Sequence, residues 1–224
     1  MKRLSKRHTV SLILKGIVVL AAVIGVYLSV AADQVGARAF MFFTIQSNIL
    51  IALICAVGAV RLLRKSAVGN GWFVIKYVGT VAITLTAGVF VFMLAPTRDD
   101  AWNLQNILTH VIVPVASIAD FFVTGIDGEL RMKHVPFVML PPLAYVIFAS
   151  VGYCQGWEFY KGSRYPYFFL NWGSPAGAFG FVKGFPFMGC VWWILLLAVL
   201  LMAVGAGYVL IVNRMKRRGK PDTK

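Results

Sequence analysis

The chain has 224 residues, 59% of them hydrophobic and 13% charged, and a formal net charge of +14. Several uncharged runs are long enough to cross about 30 Å of hydrocarbon, which points to an integral membrane protein and leaves no room for a separate soluble domain. The basic residues sit in short blocks at the ends of apolar runs, a placement that fits membrane orientation rather than nucleic acid.

Six spans are predicted within one transmembrane domain covering residues 1–224. The first, about 10–32, follows Lys2, Arg3, Lys6 and Arg7 and ends at Ala31 and Ala32. Those flanks resemble a signal peptide, but the run exceeds a secretory apolar core of about 7 to 15 residues and reads as a retained span. The second, about 40–60, opens with "FMFFTIQSNIL" and the third covers about 72–95. The fourth, about 103–124, contains "NLQNILTHVIVPVASIAD"; the fifth covers about 135–154 and the sixth about 187–212. With the N-terminus inside, all but Arg38, Arg98, Lys161, Arg164 and Lys183 of the 22 Lys and Arg residues fall on the inner side, Lys15 and Lys76 among them. Both termini are therefore expected in the cytoplasm, and the chain in the cell membrane.

Between the fifth and sixth spans lies the one long connection, about 155–186, dense in Trp, Tyr and Phe. Such residues favour the headgroup interface, so the loop reads either as an aromatic belt or as a lid over an outward-facing pocket. Cys55, Cys154 and Cys190 form no C-x-x-C pair and have no histidine at ligand spacing, so neither a metal nor a cofactor is expected. Cys154 and Cys190 fall near one face, where a disulfide is an option, although lone cysteines in apolar helices more often pack.

Residues three and four apart share a helix face. Thr44, Ser47 and Asn48 then form a polar stripe on the second span, with Gln46 pointing elsewhere. Asn103, Asn106 and His110, followed by Pro114 and Ser117, form another on the fourth. By distance from the outer boundary, Thr44 and His110 differ in depth by only about 5 Å at 1.5 Å per residue. They can meet if the stripes face each other. Polar stripes often do no more than join helices, and intramembrane threonine commonly bonds a carbonyl of its own helix. An intramembrane histidine is nonetheless a functional candidate by default.

An alcohol beside an imidazole is the minimum for nucleophilic acyl transfer, the imidazole removing the hydroxyl proton and later returning one to the leaving group. Asn48, Asn106 and Ser47 are the candidates to orient the imidazole or polarise a carbonyl. Asp120 lies ten residues beyond His110, about 15 Å along the helix, too far to complete a triad. Pro114 removes a backbone hydrogen bond and is expected to free the carbonyl of His110.

At these residues the sequence resembles the androgen-induced-protein family of six-helix membrane proteins. The resemblance rests on "FFT" (Phe42 to Thr44), on N-x-x-x-H-x-x-x-P (Asn106, His110, Pro114), and on "YPY" (Tyr165, Pro166, Tyr167) before the last span. It implies an all-α bundle with a threonine nucleophile, Thr44, and a histidine partner, His110. Characterised animal members cleave fatty acid esters of hydroxy fatty acids. Tyr165, Pro166 and Tyr167 become substrate-loop candidates.

The expectation is a polytopic six-helix membrane hydrolase acting on a fatty-acyl ester, with membrane lipids as its surroundings and no nucleic acid partner. One alternative is a transporter or ligand-binding protein that uses the same polar residues for a small solute. Another is a scaffold whose stripes only join helices.

Overall fold

The structure, a computed structural model, describes residues 5–32, 35–66, 69–124 and 128–218. Lys2, Arg3, Lys220 and Lys224, counted above with the basic flanks, lie outside these. Six helices among the described residues are long and apolar enough to cross a membrane: α1 (Lys6–Ala31), α2 (Phe43–Leu63), α3 (Asn70–Thr97), α4 (Leu104–Thr124), α5 (Met132–Cys154) and α6 (Cys190–Arg218). A helix satisfies its backbone polar groups internally, which is what an apolar surrounding demands.

Small residues on one face decide how closely the helices approach. On α1, Val18, Ala21, Ala22, Gly25 and Ser29 are buried at helical spacing, while Ile13, Leu20, Val23 and Tyr27 point outward. That face packs against α2 and α4. A methyl added at Gly25 would come within 2.7 Å of Thr109 Cγ2, so only glycine lets α1 lie this close to α4. Helix α3 touches α2, α4, α5 and α6 and so joins the two halves of the bundle. Phe73, Tyr77, Phe121, Val138, Leu201 and Tyr208 fill the core on its far side.

Two departures from the predicted spans matter. Gly36–Met41 forms a separate 3-10 turn and Phe42 is extended, so α2 begins at Phe43 rather than near 40. Thr44 thus sits in the first turn of α2, not a full turn inside it. Asn103 does not belong to a membrane stripe either. It caps α4, its Oδ1 accepting the Asn106 backbone N–H at 2.9 Å.

Helices α3 and α4 each contain a π segment, Phe90–Leu94 and Leu108–Ile112, and each segment is followed by a proline, Pro96 or Pro114. Within the second, the Val113 N–H bonds back to Leu108 O, five residues earlier. At this register the missing Pro114 N–H leaves the carbonyl of Thr109 free, not that of His110 as simple α spacing predicts. Asn48 Nδ2 donates to Thr109 O at 3.1 Å and to Thr44 O at 2.8 Å. One amide thus ties the start of α2 to the π segment of α4.

Lys15 and Lys76 are buried rather than part of a basic surface, being only 4% and 6% exposed. Both reach Asp120. Lys15 Nζ lies 2.6 and 2.7 Å from its two carboxylate oxygens, and Lys76 Nζ lies 2.5 Å from Oδ2. Ser11 Oγ donates to Asp120 Oδ1 at 2.6 Å, and Lys76 also donates to Thr124 Oγ1 at 2.6 Å. One carboxylate thereby joins α1, α3 and α4 at the end of the bundle that carries both termini. Cys55, Cys154 and Cys190 are all free thiols, so the Cys154–Cys190 disulfide is not formed.

The long connection is partly folded into the opposite, loop-bearing end. Phe159, Phe169 and Leu170 are buried against Tyr145 and Ala149 of α5, with Trp193 and Ile194 of α6 packed beside them. Phe179, Phe181, Phe185 and Phe187 remain exposed. The first half of the loop covers the bundle, and the second half presents an aromatic surface.

Candidate active site

Thr44 and His110 come together at the loop end. Thr44 Oγ1 lies 3.3 Å from His110 Nε2. Thr44 is half-buried, whereas His110 is only 6% exposed. The imidazole is held on one face and at both ring nitrogens. Phe90, from the π segment of α3, stacks on its face with ring centroids 3.9 Å apart and planes 18° from parallel, and Trp102 meets Phe90 edge-on.

The other ring nitrogen fixes the tautomer. His110 Nδ1 lies 3.1 Å from the carbonyl of Asn106 and 3.0 Å from Thr109 Oγ1. The carbonyl can only accept, and the Thr109 hydroxyl already donates to Gln105 O at 2.9 Å. Nδ1 therefore carries the hydrogen. Nε2 is left with a lone pair directed toward the Thr44 hydroxyl, which is the arrangement a general base requires.

A third group approaches from the loop. The Tyr167 phenol lies 3.4 Å from Thr44 Oγ1 and accepts the Thr44 backbone N–H at 3.3 Å. Tyr167 stacks on Phe169 and meets Phe42 edge-on, so its ring is fixed by the folded half of the loop. Burial pushes its phenol above the ordinary tyrosine range. It therefore keeps its proton near neutral pH and remains available as a donor.

Because Thr44 is in the first turn of α2, its N–H has no carbonyl four residues earlier within the helix to bond. Phe42, at the cap position, has no side-chain acceptor for it, and the Tyr167 phenol takes it instead. The result is a backbone donor at the positive end of a helix beside the hydroxyl, with a phenol facing it. Charge developing on an oxygen here would meet both.

The supporting asparagines do not act as the stripes suggest. Asn48 Nδ2 is directed at the carbonyls of Thr44 and Thr109, and Asn48 braces the helices instead of facing a substrate. Asn106 orients His110 through its backbone carbonyl, while its side chain donates to Ala101 O at 3.0 Å. Ser47 turns to α3 and lies 2.7 Å from Thr86 Oγ1. Tyr165 and Pro166 stay outside the pocket described next, and of the "YPY" element only Tyr167 lines it. Asp120 belongs to the lysine cluster at the other end. Among the described residues no three His, Cys, Asp or Glu side chains come together, so none is assigned to a metal.

Compared with protein families, characterised proteins and solved structures, the chain matches none.

From Thr44 and Tyr167 a pocket runs into the bundle between α3, α5 and α6, holding about 710 Å3 of atom-free space with its open mouth included. Its polar groups are gathered near Thr44, Thr86, Tyr145 and Tyr167, and the remaining wall is Leu, Val, Ile, Met, Phe, Pro and Ala. Sequence reasoning missed Phe90 and Thr109. The stacking of Phe90 has no local signature, because it depends on how the π segment turns α3. Thr109 was visible as a polar residue beside His110, but i, i+4 spacing put it on another face.

Proposed function

We propose that this protein is a membrane-embedded lipid ester hydrolase with Thr44 as nucleophile and His110 as general base, related to the androgen-induced-protein family. The reading is carried by one observation: the lone pair of His110 Nε2 lies 3.3 Å from the Thr44 hydroxyl at the head of an apolar pocket. The arrangement of basic residues supports placing both termini in the cytoplasm, which puts the site near the outer headgroups of the cell membrane, where water is at hand.

In the first step His110 Nε2 takes the proton as Thr44 Oγ1 attacks the ester carbonyl, and the carbonyl oxygen becomes an oxyanion. The Tyr167 hydroxyl is the donor at hand for that oxygen, and the Thr44 N–H adds to it on turning from the phenol oxygen that it now bonds. The tetrahedral species collapses, the C–O bond to the alcohol breaks, and His110 returns its proton to the departing oxygen. Water, deprotonated by the same nitrogen, then releases the fatty acid and regenerates Thr44. A carbonyl and a hydroxyl hold His110 where a triad would place a carboxylate. They fix the tautomer but supply no full negative charge to the imidazolium.

A pocket walled by hydrocarbon suits an acyl chain far better than a small polar solute, which argues against the transport reading. The deciding experiment is labelling of purified protein with an alkyl fluorophosphonate. Wild type should form an adduct on Thr44, and folded Thr44→Ala and His110→Ala should not. An unlabelled, folded wild-type protein would remove the hydrolase reading. Tyr167→Phe tests the phenol as an oxyanion donor: kcat should drop about a hundredfold with KM little changed, the usual effect of losing one such donor. An unchanged kcat would leave Tyr167 only a packing role.

A further inference from the structure

The pocket has a direction and a side opening. Helix α6 contributes Ile194, Leu197, Ala198 and Leu201, and α5 contributes Met139, Pro142, Leu143, Tyr145 and Val146. Each set covers seven residues of rise, so the pocket is about 10 Å long from the level of Thr44 to its far end. There Leu201 is 2% exposed and belongs to the central core, with Leu85 and Met139 packed against that core. This end is blind.

Helices α5 and α6 do not close over it. They meet chiefly through the Met132–Met139 segment of α5, at the terminus-bearing end of the bundle. Farther toward the loop, Pro142, Leu143 and Val146 on one side and Ile194, Leu197 and Ala198 on the other line the pocket. Leu143 is 45% exposed on the bundle surface, so the pocket wall reaches the lipid-facing side. The smallest side chain along α6 at this seam is Ala198.

We infer that the acyl chain enters sideways from the bilayer through the seam between α5 and α6, and that Leu85, Met139 and Leu201 form a floor that sets which chain lengths fit. This rests on the hydrolase reading and adds an access route and a ruler to it. A chain lying along the pocket has its polar end at Thr44 and Tyr167 and meets hydrocarbon for the rest of its length. At about 1.25 Å of advance per carbon, from bonds near 1.5 Å, the pocket takes about eight carbons. A longer chain overruns the floor and is held less well, its surplus carbons displaced into the seam.

The test compares butyl and dodecyl fluorophosphonates on protein in lipid nanodiscs. Ala198→Trp should fill the seam and slow dodecyl labelling about tenfold or more relative to butyl labelling, in line with the effect of a few methylenes in an apolar pocket. Leu201→Phe should raise the floor and shift preference toward the shorter probe, and Leu201→Ala should shift it the other way. Thermal unfolding, recorded for each variant, shows that it is folded. Equal slowing of both probes, or of neither, would overturn the inference while leaving the hydrolase reading intact.

A second arm does not depend on turnover. An octanoyl ester with a diazirine at its far end, photolysed in the nanodisc, should mark Met139–Val146 and Leu197–Leu201. If no probe labels Thr44 but these segments are marked, the hydrolase reading fails and the seam stands as a lipid-binding pocket. If they are not marked, the seam and floor are wrong.

Discussion

Exchanging Thr44 for alanine should abolish hydrolysis of a long-chain fatty ester in a protein that still folds. A lost nucleophile in acyl transfer lowers kcat by about 10^4-fold or more, and a lost general base by roughly 10^2 to 10^4-fold. His110→Ala should therefore be nearly as inactive, and the double variant little worse than Thr44→Ala, because the two side chains act as one unit. Thr44→Ser keeps the hydroxyl and should keep measurable turnover. The check is kcat from fatty acid release, with thermal unfolding in detergent recorded alongside. If the four variants lose stability in step with activity, the polar pair joins helices and does nothing more. If Thr44→Ala turns over normally, the attacking group lies elsewhere.

Asp120→Asn should be among the most destabilising single changes in the chain. It leaves two buried ammonium groups without their shared counter-charge, and removing one partner from a buried ion pair costs about 3–5 kcal/mol. With Lys15 and Lys76 both affected, the upper part of that range is expected. The penalty belongs to the stranded charges, so replacing all three together, Lys15→Met, Asp120→Leu and Lys76→Met, should restore much of the stability. Thermal unfolding of the single and triple variants decides this. Fluorophosphonate labelling of the folded fraction should survive in both, since the cluster sits at the opposite end of the bundle from Thr44. A triple variant as unstable as Asp120→Asn would mean that the hydrogen bonds, not the charge balance, hold α1, α3 and α4 together.

The six helices were legible because each apolar run is long and bounded by charge, and their bounds moved by only a few residues. The pairing of Thr44 with His110 was legible because both lie at similar depth on helices with polar stripes. What the spacing could not supply was local irregularity. The start of α2 shifted because Gly36–Met41 forms its own turn, and the freed carbonyl moved from His110 to Thr109 because a π segment adds a residue. The lysine cluster was hidden for a different reason. Lys15 and Lys76 count among the inner-side basic residues by sign alone, although each lies inside an apolar run at a depth Asp120 can share. An acidic and two basic residues within three predicted spans were a signal for a buried partnership.

The π segment at Leu108–Ile112 has a consequence for how such a site is built. One surplus residue in a helix turns everything beyond it by about 100° relative to a regular spiral. Here the beginning of α4 is fixed by the Asn103 cap and its end by Asp120, so the surplus cannot be passed along and is confined around His110. The imidazole's aim is thus a matter of residue number as much as residue type. Shortening this stretch by one amino acid outside His110 would keep both side chains in the protein and point the imidazole away from the Thr44 hydroxyl.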